Sequence, residues 1–442
     1  MPSDSSSKQQ TWSRRKLLAA IGTGAAGLML GGSASFERTA SAAAPLPSAA
    51  GPWLNVKDYG AKGGGLVFEN DAPAIQAAIN AAGSSRFGGT VYVPPGRYII
   101  DAPLFLYSNV RLIGDGPVSS VIKSNRSSMV MVQGAKLKQS SVERLGFEGS
   151  GSLTGRNDLQ TEKAIALTEC EQAIVRDCAF QAVANGVWLT GCRETTVVGC
   201  SFIRMYSSES LYEGYGIVAE AGEKLGLVDN RFQQLDKPCI YVSGGCSHST
   251  IAGNTAEACK ESLITVTSPL KACSHLRIEG NTVTSTGLAA GEKSCRHGIV
   301  LRHYCTDNVI ADNRIAGASA AGIWLEGDGA AEAERPKSNL IAGNRIVDSP
   351  KGIALLNSDA NTVSGNDVRR TKVGIELDTS GEKGGSVCRD NVITGNTVFR
   401  CTEAGIRLAT QRCEANAVFG NGGSANGEAL ADAGKGTIRS GF

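Results

Sequence analysis

The chain has 442 residues, a net charge of +2 and 41% hydrophobic residues. That length suffices for one large domain or two to three ordinary ones. The near-neutral charge, with no basic cluster interleaved with aromatics, excludes an electrostatic nucleic-acid binder.

Residues 1–42 read as an export signal. A polar start precedes Arg14 and Arg15, and an apolar run from Leu17 to Leu30 follows. The run is too short and glycine-rich for a membrane span, and Ala40-Ser41-Ala42 offers a cleavage site. Ser13-Arg14-Arg15-Lys16-Leu17-Leu18 resembles a twin-arginine signal. That resemblance implies folding before export, with the twin-arginine export machinery as a partner. A general secretory signal with a basic start is the alternative. Either way the product is expected to be exported, to the periplasm, cell surface or medium, with no stable membrane span after processing. Residues 43–52 follow as a linker.

Residues 53–116 form an N-terminal capping unit. Asn70 or Asp71 can cap a helix with Pro73 in its first turn. Ile75, Ala78, Ile79 and Ala82 then recur at helical spacing. "GGTVYVPPGRYII" reads as strand, turn, strand, and "NVRLIGDG" as one more strand. With "VKDYGAKGGG" and "APAIQAAINAA", these stretches resemble the start of the pectate-lyase-superfamily right-handed β-helix proteins. The resemblance implies a fold more than a reaction, because that superfamily holds lyases, hydrolases, epimerases and phage tailspikes. Its usual acidic D-G-x-x-D-D run is here "GGGLVFEND".

Beyond residue 116 the chain is repetitive, and this is independent of the resemblance. A G-N or D-N pair recurs at Asn230, Asn254, Asn281, Asn313, Asn344, Asn366, Asn396 and Asn421, at spacings of 22 to 32 residues. A second series, G-I-x-L, falls between them, at Gly298, Gly322, Gly352, Gly374 and Gly405 among others. Each repeat is two to three short strands without a helix, enough for one coil of a solenoid that is stable only when stacked. The expected fold is all-β: a single right-handed parallel β-helix over 53–421 with an N-terminal capping helix. Residues 422–442 lose the pattern and read as a loosely structured tail.

Recurring asparagines at turns are expected to bond coil to coil. Cys170, Cys192, Cys246, Cys273, Cys305, Cys388 and Cys413 each lie eight residues before a ladder position, so seven of the 13 cysteines share one place in the coil. That spacing predicts a column of buried thiols, some able to oxidise in adjacent pairs after export. No C-x-x-C occurs, and no metal site is expected from the cysteines.

Alternation along G-I-x-L puts the residues two and four after the glycine on the outer face. Trp188, Tyr241, Trp324, Glu376 and Arg407 take the first of these positions; Glu220, Arg302, Glu326 and Asp378 take the second, with His303 and Asp328 in neighbouring turns. Flat aromatics stack on sugar rings, while carboxylates and arginines fix hydroxyls or uronates. A long face of this kind suits a polysaccharide. Trp188, Glu220, Tyr241, Trp324, Glu376 and Arg407 are the substrate-binding candidates, and Glu326, Asp328, Asp378, Arg302 and His303 the catalytic ones.

Glu326 and Asp378 sit two coils apart in one column, about 9–10 Å at the backbone, close to the separation an inverting hydrolase uses. Asp328 and Glu376 are nearby alternatives. β-Elimination needs instead a group that neutralises the uronate and a base near its α-carbon. Arg302 with His303 or Tyr241 can fill those roles. No cofactor is required by the pattern, although Ca²⁺ bridged by Glu326, Asp328 and Asp378 could neutralise a uronate. Polygalacturonase-type members carry N-T-D, D-D, G-H-G and R-I-K motifs, of which "RHGIVLRHY" is a partial echo. Mannuronan C5-epimerases have Y-G-F-D-P-H where this chain has "YGIVAEAG", with Tyr215 kept, Val218 in the acid position and Glu220 in the histidine position. The expectation is an exported enzyme that cleaves a polysaccharide, with uronate content favoured, by hydrolysis or β-elimination. A non-catalytic glycan-binding or surface-structure protein and a C5-epimerase are the alternatives.

Overall fold

Among the described residues, short strands stack rung on rung into three long parallel sheets of 15, 13 and 13 strands, with a further two-stranded piece. The first sheet runs from Trp53–Asn55 to Ile438–Ser440. The second runs from Leu104–Phe105 to Glu428–Asp432 and holds the G-I-x-L strands. The third runs from Gly96–Ile100 to Gly422–Ser424. Parallel strands joined by crossovers take the right-handed sense, and the molecule is the expected right-handed parallel β-helix. The computed structural model describes residues 53–152, 161–208, 212–286, 294–327, 334–379 and 386–441. The expected export signal and linker, and Asp328, lie outside the described residues.

One α-helix among the described residues, Ala72–Ser84, closes the N-terminal end. Asn70 accepts the Ala72 N–H at 3.1 Å. Asp71 instead accepts the N–H groups of Lys62 and Gly63, at 2.6 and 3.2 Å, and so ties the preceding loop to the helix. Ile75, Ala78, Ile79 and Ala82 are buried against the first coils. This helix is not long and apolar enough to cross a membrane, which says nothing of β-barrels.

In the coils from Asn308 onward, two turns are held by asparagine. In the predicted ladder each Oδ1 accepts from the backbone and side-chain amides of the preceding asparagine, as Asn344 does from Asn313 at 3.0 and 2.9 Å. The residue before each asparagine is left-handed (Asp312 φ 55°, Gly343 φ 66°), which explains the G-N and D-N pairs. A second ladder, Asn308, Asn339, Asn361, Asn391 and Asn416, runs parallel to it at the turn that also carries the cysteines. Cys178 and Cys200 take the place of asparagine in the first ladder, and the Cys200 amide reaches Asn230 Oδ1. All 13 cysteines are buried and unpaired, with Cys273 beside Cys305 and Cys388 beside Cys413 in register.

Inside the third sheet, Phe147, Phe180, Phe202 and Phe232 stack with centroids 5.3, 4.7 and 4.9 Å apart. Residues 422–441, expected as a tail, carry three strands that pair with the preceding coil. Their side chains are mostly small and exposed, so hydrophobic spacing fades while the backbone ladder and Asn421 continue the pattern.

Candidate functional site

The glycine of G-I-x-L changes which residues face outward. A Cβ on Gly322 would lie 2.5 Å from Ile346 Cγ2 and 2.8 Å from the Gly352 carbonyl, inside the core. Glycine and the following isoleucine therefore both point inward, and strict alternation breaks there. As a result the residue before the glycine joins the outer face. Lys163, Tyr215, His297 and Lys351 stand in this third column, and each touches an aromatic of the predicted columns. Alternation applied through the glycine misses them.

The densest group of these side chains centres on Trp324. His297 lies on the preceding rung with its ring 5.3 Å from the indole, and Lys351 on the following rung places its ammonium 5.5 Å from it. Between them in register is Ala321, whose side chain is small and buried. On the other side of the same rungs Arg302 and Glu326 are register partners, with Nε 2.8 Å from Oε2. Both are about one-third to two-fifths exposed, so this ion pair sits at the surface of the face. Asp378 is two rungs beyond Glu326 in the same column, separated by Leu356, and accepts the Thr379 N–H at 2.7 Å.

A second group lies toward the N-terminal end. Trp188, Tyr215 and Tyr241 form an edge-on chain with centroids 6.3 and 5.5 Å apart. Lys163 places its ammonium 4.9 Å from the Trp188 ring. Glu220 is in register with Ser243, on the strand that carries Tyr241, and burial raises its carboxyl above the usual range. Burial also pushes both tyrosine phenols up, with further contributions from Glu220 and Arg302 at Tyr241, in opposite senses. Five rung steps separate Trp188 from Trp324, about 24 Å at about 4.8 Å per rung.

The outer face is less open than alternation implies. Val218, Val300, Ala354 and Glu376 all hold outer positions and are buried under their larger neighbours. Glu376 is 4% exposed and paired with Lys351 and with Arg407, the latter at 3.5 Å. Its carboxylate is committed to holding those two cations, and Arg407 is also paired with Glu403. His303 follows Arg302 in a left-handed turn, φ 58°, opposite Ser268 and past the three columns. Arg302 sits on Glu326, one rung (Leu356) lies between Glu326 and Asp378, and Asp328, the third residue expected to bridge Ca²⁺, is outside the described residues. Among them no group of three His, Cys, Asp or Glu side chains is placed to hold a metal ion.

The face thus carries aromatic side chains, cations beside them, and two acids, Glu326 and Asp378, two rung steps apart in one column. A family model described as rhamnogalacturonase A/epimerase, pectate lyase-like, matches residues 53–283, more than half of the chain. The chain belongs to this family. A second model, the right-handed β-helix region, covers residues 269–438 of this pectate lyase-like chain. The chain is 41% identical over 112 residues to mannuronan C5-epimerase AlgE6 of Azotobacter vinelandii, 24% of this chain and 12% of that protein. Alginate lyase 7 of the same organism is 47% identical over 76 residues, 16% of this chain and 8% of that protein. These matches therefore span a small part of either relative. Among solved structures, the tailspike of E. coli bacteriophage HK620 in complex with a hexasaccharide superposes with a TM-score of 0.60 at 13% identity, covering 88% of this chain and 80% of that one. At that identity the likeness is one of fold. The two Azotobacter relatives, a mannuronan C5-epimerase and an alginate lyase, differ in activity.

Proposed function

We propose that this protein is an exported enzyme that binds an extended, uronate-containing polysaccharide along the outer face of the second sheet and cleaves it near Trp324. The observation that carries this reading is the Trp324 indole with His297 and Lys351 against it and the Arg302–Glu326 pair in the neighbouring column of the same rungs. Trp324 supplies the stacking surface, and Arg302, beside the accessible Glu326, is the cation for a uronate carboxylate. Trp188 and Tyr241 extend the platform across further rungs, with Glu220 as a polar contact. Relatives named for mannuronan and alginate support the acidic substrate class.

Two reactions fit this arrangement. Glu326 and Asp378 can act as the acid and base of an inverting hydrolase, since inversion uses carboxyls about 6.5–9.5 Å apart. Arg302 can instead neutralise a uronate and so permit β-elimination, with Tyr241 as the proton-transferring group. His303, past the three columns beside Arg302, takes a supporting role in this proposal.

The test is a polysaccharide panel of alginate, polygalacturonate and neutral glucans with the wild type, Glu326→Gln, Asp378→Asn and Arg302→Met. Loss of a general acid or base is expected to lower turnover by about 10²–10⁴-fold. Hydrolysis yields only new reducing ends, elimination an ultraviolet-absorbing unsaturated uronate, and epimerisation no shortening. If all three variants cleave like the wild type, the catalytic assignment fails. Binding without any chemical change would make the protein a glycan-binding β-helix instead.

A further inference from the structure

Three acids of the outer face are engaged: Glu326 with Arg302, Glu376 with Lys351 and Arg407, and Asp378 with the Thr379 N–H. Glu220 differs. Among the described residues its carboxyl has no hydrogen-bond or ion-pair partner, and neither oxygen is sealed from solvent. A half-buried carboxylate without a partner is costly, and such settings gather at functional sites. Glu220 also stands at one end of a stretch of short side chains. Tyr241 lies on the next rung in the neighbouring column. Beyond it Ser243, Thr265 and Val300 are buried and Thr267 is half-buried. Arg302 stands at the other end, three rung steps from Glu220 and about 14 Å from it at the backbone. The two long side chains can reach toward each other over these rungs and leave the width of a sugar between them.

We infer that Glu220 is the catalytic base of a β-elimination, taking the proton α to the carboxylate of a uronate seated between Tyr241 and Arg302. The inference rests on the groove reading above and names the proton acceptor for the second of its two reactions. Glu220 takes the α proton, and the C–H electron pair becomes the new carbon–carbon double bond. The β carbon–oxygen bond breaks, and its electron pair leaves on the glycosidic oxygen, which takes the phenol proton of Tyr241. Solvent then returns a proton from Glu220 to Tyr241. Arg302 pairs with the sugar's carboxylate and so makes the α proton easier to remove. Burial raises the Glu220 carboxyl, which makes its ionised form a stronger base. Thr190 and Ser243 flank it in register. The titratable groups that feel its charge are the Tyr241 phenol and the Cys246 thiol, both kept protonated by burial. Glu326 is four rung steps away, about 19 Å, too far to form a glycosidase pair with Glu220.

The experiment follows unsaturated, ultraviolet-absorbing product from sodium alginate and from polygalacturonate over a pH series, with full-chain wild type, Glu220→Gln, Glu220→Asp and Tyr241→Phe. Glu220→Gln keeps the shape and removes the base, so kcat should fall by about 10²–10⁴-fold with KM little changed. The wild-type rate should rise with pH as Glu220 ionises, and that limb should vanish in Glu220→Gln. Glu220→Asp keeps a carboxylate and should retain part of the rate together with the limb. Thermal midpoints should show Glu220→Gln no less stable than the wild type, since it loses only an unpaired, half-buried charge. Wild-type turnover in Glu220→Gln, or a loss that leaves the rising limb in place, overturns the role of Glu220 and leaves the groove standing. Wild-type product with new reducing ends but no unsaturation overturns it too, and makes the groove that of a hydrolase. If calorimetry shows that the wild type binds neither polymer, the groove reading falls and this inference with it.

Discussion

His297 shows how burying one side chain links stability to pH. Its ring is buried and uncharged, with a folded value of about 3, well below the about 6.5 of an unfolded histidine. Between those values the unfolded chain binds more protons than the folded one. Stability is therefore undiminished above about pH 6.5 and falls as the pH drops toward 3, by up to about 1.4 kcal/mol per pH unit from this group. His297→Phe should flatten that part of the profile relative to the wild type, as read from denaturant midpoints at a series of pH values. Parallel profiles would mean that the ring is protonated in the fold. Glu376 gives the contrasting case. On the sequence it is one more acid on the outer face, like Glu326, yet it is buried between Lys351 and Arg407 while Glu326 stays accessible beside Arg302. No sequence pattern distinguishes the two, because exposure depends on the bulk of side chains one rung away.

At the scale of the strand and turn, repeated words in the sequence have separate physical origins. The G-N pair needs a left-handed residue followed by an amide that can bond both up and down the stack. G-I-x-L needs a residue without Cβ where the second sheet bends onto the third, as the contacts at Gly322 show. The first ladder was legible because its glycine recurs. The second was also written in the chain, as an asparagine five residues before Asn313, Asn344, Asn366, Asn396 and Asn421, but it lacks a constant neighbour to mark it. Asn344 bonds to Asn313 on one side and Asn366 on the other, and its loss strands partners in both coils. Asn344→Ala should destabilise by about 1–3 kcal/mol for each buried group left unmade, measured by denaturant unfolding. Asn421, which has a ladder partner only in Asn396 on the preceding side, should be less sensitive. Equal effects at the two positions would argue against a ladder that transmits bonding along the rod.

Across the whole molecule, stability is shared between coils, since each buries its inner residues only against its neighbours. The continuous Phe147–Phe232 stack and the two asparagine ladders run along the rod rather than within a coil. Thirteen buried, unpaired thiols belong to the same picture. We propose that the chain folds before export, as the expected twin-arginine signal implies, with its thiols enclosed in the stacked coils. Changing Arg14→Lys together with Arg15→Lys should hold the protein inside the cell, folded and with its thiols shielded from labelling until denaturation. Normal export of that double variant would contradict this account of its biogenesis.

The regular repeats determined the coil, the inward residues, the capping helix and the outer columns, because stacking imposes the same local requirement on every rung. The sequence also placed Trp324, Arg302, Glu326 and Asp378 on one face in the right columns. Only the tertiary structure decided that the residue before each glycine joins them, since the bend at the glycine reverses alternation. It alone separated the accessible Glu326 from the buried Glu376, and it alone set His297 and Lys351 on either side of one indole. Those outcomes depend on contacts between rungs 22 to 32 residues apart in the chain, and local pattern carries no record of them.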